Sequence, residues 1–297
     1  MIAEATGLRN LTILIVILAG TATLGCATPN YRYGRFGESP IPLAQSYQQV
    51  VQGGGDHPKL DRLERIVHAP GRKLRQWFGE PHDLKREKDD QKKTLEVSVQ
   101  HLADNGLHDV YVEHRRYAPA EQWQRLRENT RISPIFKYTD GAARVLASAI
   151  LPARVFHSDS YNPYTNTLSI NSDSPSSSVL EASAAKYSAS ATYPGIQAAS
   201  SNLPFVSIYH SSRIASEALS YSRARNDWEL EQAVYPTAYG NIGSSVFLEG
   251  YAINPVKGPV GLVAGPVASM VGGAVGSGVG SVKVQQIERE RRSVRPR

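Results

Sequence analysis

The sequence predicts an α+β protein that is predominantly helical, with short strands in its middle and a glycine-rich segment near its C-terminus. Three observations carry this. Apolar residues recur at helical spacing in several segments, and two short runs, Val110-Tyr111-Val112 and Thr167 to Asn171, have the composition and alternation of strands. The third is Gly258 to Val282, 25 positions without a charged side chain. The chain has 297 residues, 41% hydrophobic and 20% charged. That is enough for a core of about 150 to 200 residues with extensions. A net charge of +6 suits contact with an anionic surface. No arginine–aromatic cluster or nucleic-acid motif accompanies it, so nucleic acid is not an expected partner.

The N-terminus reads as an export signal or retained anchor, because Arg9 precedes the apolar run Leu11 to Gly20. Thr23-Leu24-Gly25-Cys26 follows and resembles the processing box of bacterial lipoproteins, in which the cysteine is lipidated and begins the mature chain. Gly25 fits that box, whereas Thr23 stands where leucine is usual. Cys26 is the sole cysteine, which excludes an intramolecular disulfide. Residues 1–25 are thus the signal or anchor and 26–56 a linker interrupted by Pro, Tyr and Gly. Residues 57–250 form a helical-rich domain, 251–283 a glycine-rich membrane-associated segment and 284–297 a basic tail.

Within the domain, short helices are expected over Lys59 to Val67 and Arg72 to Phe78, separated by Pro70-Gly71. A third, Leu95 to Ala103, closes at Asp104-Asn105-Gly106. The strand at Val110 follows, then a helix over Ala120 to Glu128 begun by Pro119. Ala142 to Leu151 is an apolar core helix, too short to span a bilayer, and Pro152 stops it. Ser158 to Ser212 is serine-rich, but its interspersed Tyr, Ile, Val and Leu argue for folded structure over a disordered linker. Here Leu168 and Ile170 share one strand face, and Ser174-Pro175 caps a helix. In that helix Val179, Leu180, Ala184 and Tyr187 supply part of an apolar stripe. A helix from Pro204 to Arg225 places Arg213 and Glu217 one turn apart. A last domain helix starts at Asp227-Trp228-Glu229-Leu230 and is expected to end near Pro236 and Gly240.

Leu180-Glu181-Ala182-Ser183-Ala184 has the frame of the H-E-x-x-H zinc motif. In that motif two histidines four residues apart hold zinc while the glutamate activates water. Leu180 and Ala184 occupy the histidine positions and cannot coordinate metal, so no metal and no cofactor are expected. Glu181 alone persists, as a remnant of the general base.

The wider setting comprises Arg154-Val155-Phe156-His157, Tyr161-Asn162-Pro163-Tyr164-Thr165-Asn166-Thr167, Asp173, and Glu181-Ala182 with Ala185-Lys186. Downstream come Tyr193-Pro194-Gly195, Arg213, Leu219-Ser220-Tyr221 and Asp227-Trp228-Glu229-Leu230-Glu231. Upstream lies Trp123-Gln124-Arg125-Leu126-Arg127-Glu128-Asn129. Over roughly residues 107–250 this order resembles a bacterial family of zincin-like, membrane-associated proteins. In that family an N-P-Y-T-N-T strand and an S-D turn lead into a helix containing H-E-A-x-H-A-K. The resemblance implies a zincin-like core around a cleft with Glu181, Lys186, His210, Arg213 and Glu217 as candidate residues. A buried Glu181 would require Arg213 or Lys186 as donor, or protonation. His210 and Glu217 are the candidate ligands of an unconventional metal site, with His157 a further donor. No G-x-S-x-G elbow, phosphate loop or dinucleotide fingerprint is present.

Lys257 and Lys283 flank the charge-free segment, whose length suffices for a membrane span. Gly261 and Gly265, then Gly272, Gly276 and Gly280, recur every fourth residue and resemble glycine-zipper segments of envelope proteins. Pro259 and Pro266 leave a kinked span or re-entrant hairpin open. Arg289, Arg291, Arg292, Arg295 and Arg297 follow. These features point to a membrane-anchored, periplasm-facing envelope protein, with inner and outer membrane both open. Three functions fit: a catalytically inactive metallopeptidase-like lipoprotein that binds or scaffolds, an active zinc metallopeptidase with unconventional ligands, or a structural self-associating lipoprotein. Expected partners are membrane lipid and an envelope protein or a second copy.

Overall fold

The computed structural model describes residues 31–34, 50–52, 84–150, 158–201, 203, 205–253 and 259–294. Cys26, His157, the N-terminal apolar run and the two helices expected between residues 59 and 78 lie outside them. The chain divides into two compact units, one of Arg32–Ala199 and one of Met1–Tyr31 with Ser200–Arg297. The 57–250 segment read as one domain is therefore shared between them.

The first unit is built on a four-stranded sheet. Its strands are β1 (Val50–Gln52), β2 (Tyr111–His114), β3 (Ser160–Asn162) and β4 (Thr167–Ile170), in the order β1-β2-β4-β3. β1, β2 and β4 run parallel, and β3 is an antiparallel edge. Helix α1 (Leu84–Asp104) precedes β2, and α2 (Pro119–Glu128) follows it with Pro119 at its first turn. A single turn, Pro134–Phe136, and a π-helical turn, Lys137–Gly141, lead into α3 (Ala142–Ile150). After the sheet come α4 (Pro175–Ala189) and α5 (Pro194–Ser200). α1 starts well before the expected Leu95, through a charged first half that carries the Lys92–Glu96 pair one turn apart.

Strand alternation sorts the two sheet faces. Val112 pairs with Leu168 and His114 with Ile170, and the three apolar members of this set join Leu102, Leu107, Ala182, Ala185 and Ala189 in one core beneath α1 and α4. The opposite face carries Tyr111, Glu113, Thr167 and Ser169 and meets α2. There Arg125 pairs with buried Glu113 at 2.6 Å, reaches Thr167 Oγ1 at 3.3 Å and lies over the Tyr111 ring at 4.5 Å. A second core of Leu126, Ile132, Val145, Tyr164 and Ala198 completes that side. α4 is buried on nearly all sides, since Ser176, Ser178, Ser183 and Ser188 are enclosed along with Val179 and Leu180. The expected single apolar stripe is thus one part of a helix held between sheet and α1. Small serines permit this close packing, and their hydroxyls find partners such as His101 Nε2 (3.2 Å from Ser183 Oγ).

The second unit contains α6 (Val206–Ala224), α7 (Trp228–Ile253) and α8 (Pro259–Val294). α7 runs through Pro236 and Gly240, where the sequence suggested a stop. A glycine and a proline weaken a helix taken alone, but here they face α8. A Cβ on Gly240 would fall 2.6 Å from Ser277 Oγ, and Ser277 Oγ donates to the Pro236 carbonyl at 3.0 Å. α8 is likewise continuous through Pro266 and into the basic tail. Its stretch Val267–Arg292 is long and apolar enough to cross a membrane. Gly272, Gly276 and Gly280 lie against α7: a Cβ would sit 2.7 Å from Phe247 Cβ, 2.7 Å from the Tyr239 carbonyl carbon and 2.7 Å from Pro236 Cα, respectively. These three glycines are therefore occupied within the chain and do not face a second copy. Gly261 and Gly265 lie in the first turns of α8.

Candidate functional site around Glu181

The segments Trp123–Asn129 and Tyr161–Thr167 build the turn that presents β3 and α4. Asn162 Oδ1 accepts from Tyr164 N at 3.0 Å, closing an Asx turn. Asn129, at the end of the Trp123–Asn129 motif, donates to the Pro163 and Tyr164 carbonyls at 3.2 and 2.8 Å. Asn166 takes a left-handed φ of 49°, which asparagine tolerates, and its side chain joins the Asp109 carbonyl (2.7 Å) to the Tyr161 hydroxyl (2.9 Å). Ser174 caps α4, its Oγ accepting from Ser177 N at 3.4 Å.

Glu181 projects from α4 to the free edge of the sheet. Tyr161 lies opposite Leu168 in the antiparallel pair, and its N–H points away from β4 and donates to Glu181 Oε2 at 2.8 Å. The carboxyl thus closes a main-chain donor that an edge strand leaves open. Burial pushes its pKa up to about 7; the Tyr161 hydrogen bond partly offsets this, and the negative charge of Asp159 adds to it. Asp159 is itself buried and accepts from Asn171 N (2.7 Å), Ser172 N (2.8 Å) and Ser172 Oγ (2.6 Å), tying the turn after β4 to the start of β3. His114, at the end of β2, lies in the field of Asp159 and Asp173; burial and the Arg115 charge hold it below the usual imidazole range. Arg115 reaches Asp173 at 3.4 Å.

The sequence-predicted residues are divided between the two units. Lys186 is buried on α4 and donates to the Arg32 carbonyl. His210, Arg213 and Glu217 belong to α6 in the other unit, where turn spacing places them along one side of the helix. Burial lowers the His210 pKa. Of the expected alternatives, Arg213, Lys186 or protonation, the raised pKa of Glu181 agrees with the last, and the main-chain N–H of Tyr161 is its donor. Leu180, at the first histidine position, is 2% exposed and part of the core. Among the described residues no three of His, Cys, Asp and Glu are grouped to hold a metal ion. Sequence reading missed Asp159, His114 and Tyr161. His114 ends a recognisable strand, but a main-chain donor such as Tyr161 N has no residue-type signature.

Comparison with family models, curated proteins and solved structures finds no match to this chain.

Proposed function

We propose that this chain is a membrane-associated binding or scaffolding protein of the bacterial envelope, built on a metallopeptidase-like unit that has lost catalysis. The observation that carries the reading is the use of Glu181. A general-base glutamate must present a free carboxylate to a metal-bound water. Here the carboxyl instead accepts the edge N–H of Tyr161 through Oε2. Leu180 and Ala184 hold the two ligand positions, and Leu180 is enclosed in the core. What remains is an α4–sheet frame whose carboxyl fixes strand β3. Anchoring would come from Cys26 lipidation or the N-terminal apolar run, together with α8.

Zinc content tests the loss of catalysis. The full chain, freed of loosely held metal with a chelator and assayed by atomic emission, is expected to carry far less than one zinc per chain. One tightly held zinc that disappears in Glu181→Gln or His210→Ala would overturn the reading and favour a metallopeptidase with unconventional ligands.

A further inference from the structure

We propose that the second unit rests on the membrane through one face of α8, which lies in the plane of an anionic lipid surface instead of spanning the bilayer. The proposal rests on the membrane-associated reading above and specifies its geometry. From Val267 to Val282 the exposed positions of α8 are Val267, Met270, Val271, Ala274, Val275, Gly278, Val279, Ser281 and Val282. The valines and methionine among them are between 40% and 74% exposed. This face has no charge for roughly 23 Å of helix, and the hydroxyl of Ser281 bonds back to the Ser277 carbonyl. Contiguous apolar surface of this kind marks a contact.

A span is disfavoured by what lies behind the face. The opposite side of α8 is locked to α7 at Gly272, Gly276 and Gly280, where added Cβ atoms would meet α7 backbone or side chain. α7 in turn holds α6: Ser245 Oγ meets Ser211 Oγ at 3.2 Å, and Glu249 accepts from Phe205 N at 2.6 Å. Carrying α8 through a bilayer would either break the glycine contact or drag α6, with Arg213 and Glu217, to hydrocarbon depth, where charges are costly. In-plane contact needs neither.

Charge complementarity selects lipid as the occupant. Arg289 falls about five full turns after Val271 and so continues the same line, with Arg292 close beside it. Both are exposed, and Arg292 forms a surface pair of 3.9 Å with Glu288. An anionic bilayer offers acyl chains to the valines and phosphates to the arginines at once. A second copy would set Arg289 against Arg289 if parallel, or against valines if antiparallel.

The test uses the full chain with Cys26→Ser, reconstituted into phosphatidylcholine vesicles with and without phosphatidylglycerol. Spin labels are placed by Val271→Cys, Gly278→Cys or Val282→Cys, positions on one line of the helix. Gly278 has open space for a side chain, so that label leaves packing undisturbed. The in-plane face predicts equal, shallow depth at all three labels. That depth should be lost without phosphatidylglycerol and in Arg289→Glu/Arg292→Glu. Depths differing by about 10 and 6 Å between successive labels, as a span requires, would overturn the proposal while membrane association stood. Vesicle-bound protein whose labels lack lipid contact, or broaden each other across two copies, would overturn it in the same way. Failure to bind vesicles at all would overturn both readings.

Discussion

Gly276 and Gly278 lie two residues apart on α8, and replacing each with alanine should change stability in opposite directions. In an unpacked helix either substitution gains about 1 kcal/mol from the lower backbone entropy of alanine. At Gly278 nothing lies within 4 Å of the new Cβ, so that gain is retained. At Gly276 the Cβ would fall on the Tyr239 carbonyl, 2.7 Å from its carbon and 3.1 Å from Gly240 Cα. Both are backbone atoms of α7, so relief requires the helices to move apart and not a rotamer change. Overpacking of this kind costs about 1–3 kcal/mol, and a backbone obstacle places it toward the upper end. The net expectation is a gain of about 1 kcal/mol for Gly278→Ala and a loss of about 2 kcal/mol for Gly276→Ala. Native-state hydrogen exchange of the α7 and α8 amides reads this locally, without requiring the two units to unfold together. Equal protection in the two variants would refute the close α7–α8 contact.

The raised pKa of Glu181 makes a pH prediction. Because its folded value, about 7, lies above the ordinary 4.5, the native state binds the extra proton between these limits. The contribution of Glu181 to stability is then full below about pH 4.5 and lost as pH rises to 7, by up to about 3 kcal/mol. Glu181→Gln keeps an acceptor for Tyr161 N–H and should remove this pH dependence in denaturant titrations; an unchanged profile would show that Glu181 is solvated. Arg125→Met should cost about 3–5 kcal/mol by stranding the buried Glu113 carboxylate, leaving it the Gln122 amide at 3.0 Å. Adding Glu113→Gln should restore most of the loss, and a single-variant loss under about 1 kcal/mol would place that pair in solvent.

Features set by local chemistry were legible in the sequence. Pro119 opens α2, Ser174 caps α4, and Thr167 to Ile170 forms a strand whose Leu168 and Ile170 enter the core, because each signal acts within a few residues. Features set by distant partners were not. β1 at Val50–Gln52 sits in a stretch that reads as linker, and it becomes a strand by pairing with β2. Pro236 and Gly240 read as a stop, because the α8 residues that pack on their continuation, Gly273 to Gly280, lie more than thirty residues on. The frame around Glu181 was visible, but its partner was not. Any residue type other than proline supplies a backbone N–H, and only the antiparallel register aims the one on Tyr161 outward.

That register separates two demands on one glutamate. Catalysis asks for a carboxylate that is charged, reachable and placed beside a metal; the edge of β3 asks only for an acceptor, charged or neutral. Asp159 sharpens the distinction. Its negative charge favours the protonated form of Glu181, which serves the edge no less, because it still leaves a carbonyl oxygen for Tyr161 N–H. Asp159 meanwhile fixes the other end of the same turn through Asn171 and Ser172. The two carboxyl groups together hold β3 at both its approaches. A glutamate in this position is useful with no histidine beside it, and its presence in the H-E-x-x-H frame is therefore no measure of peptidase activity.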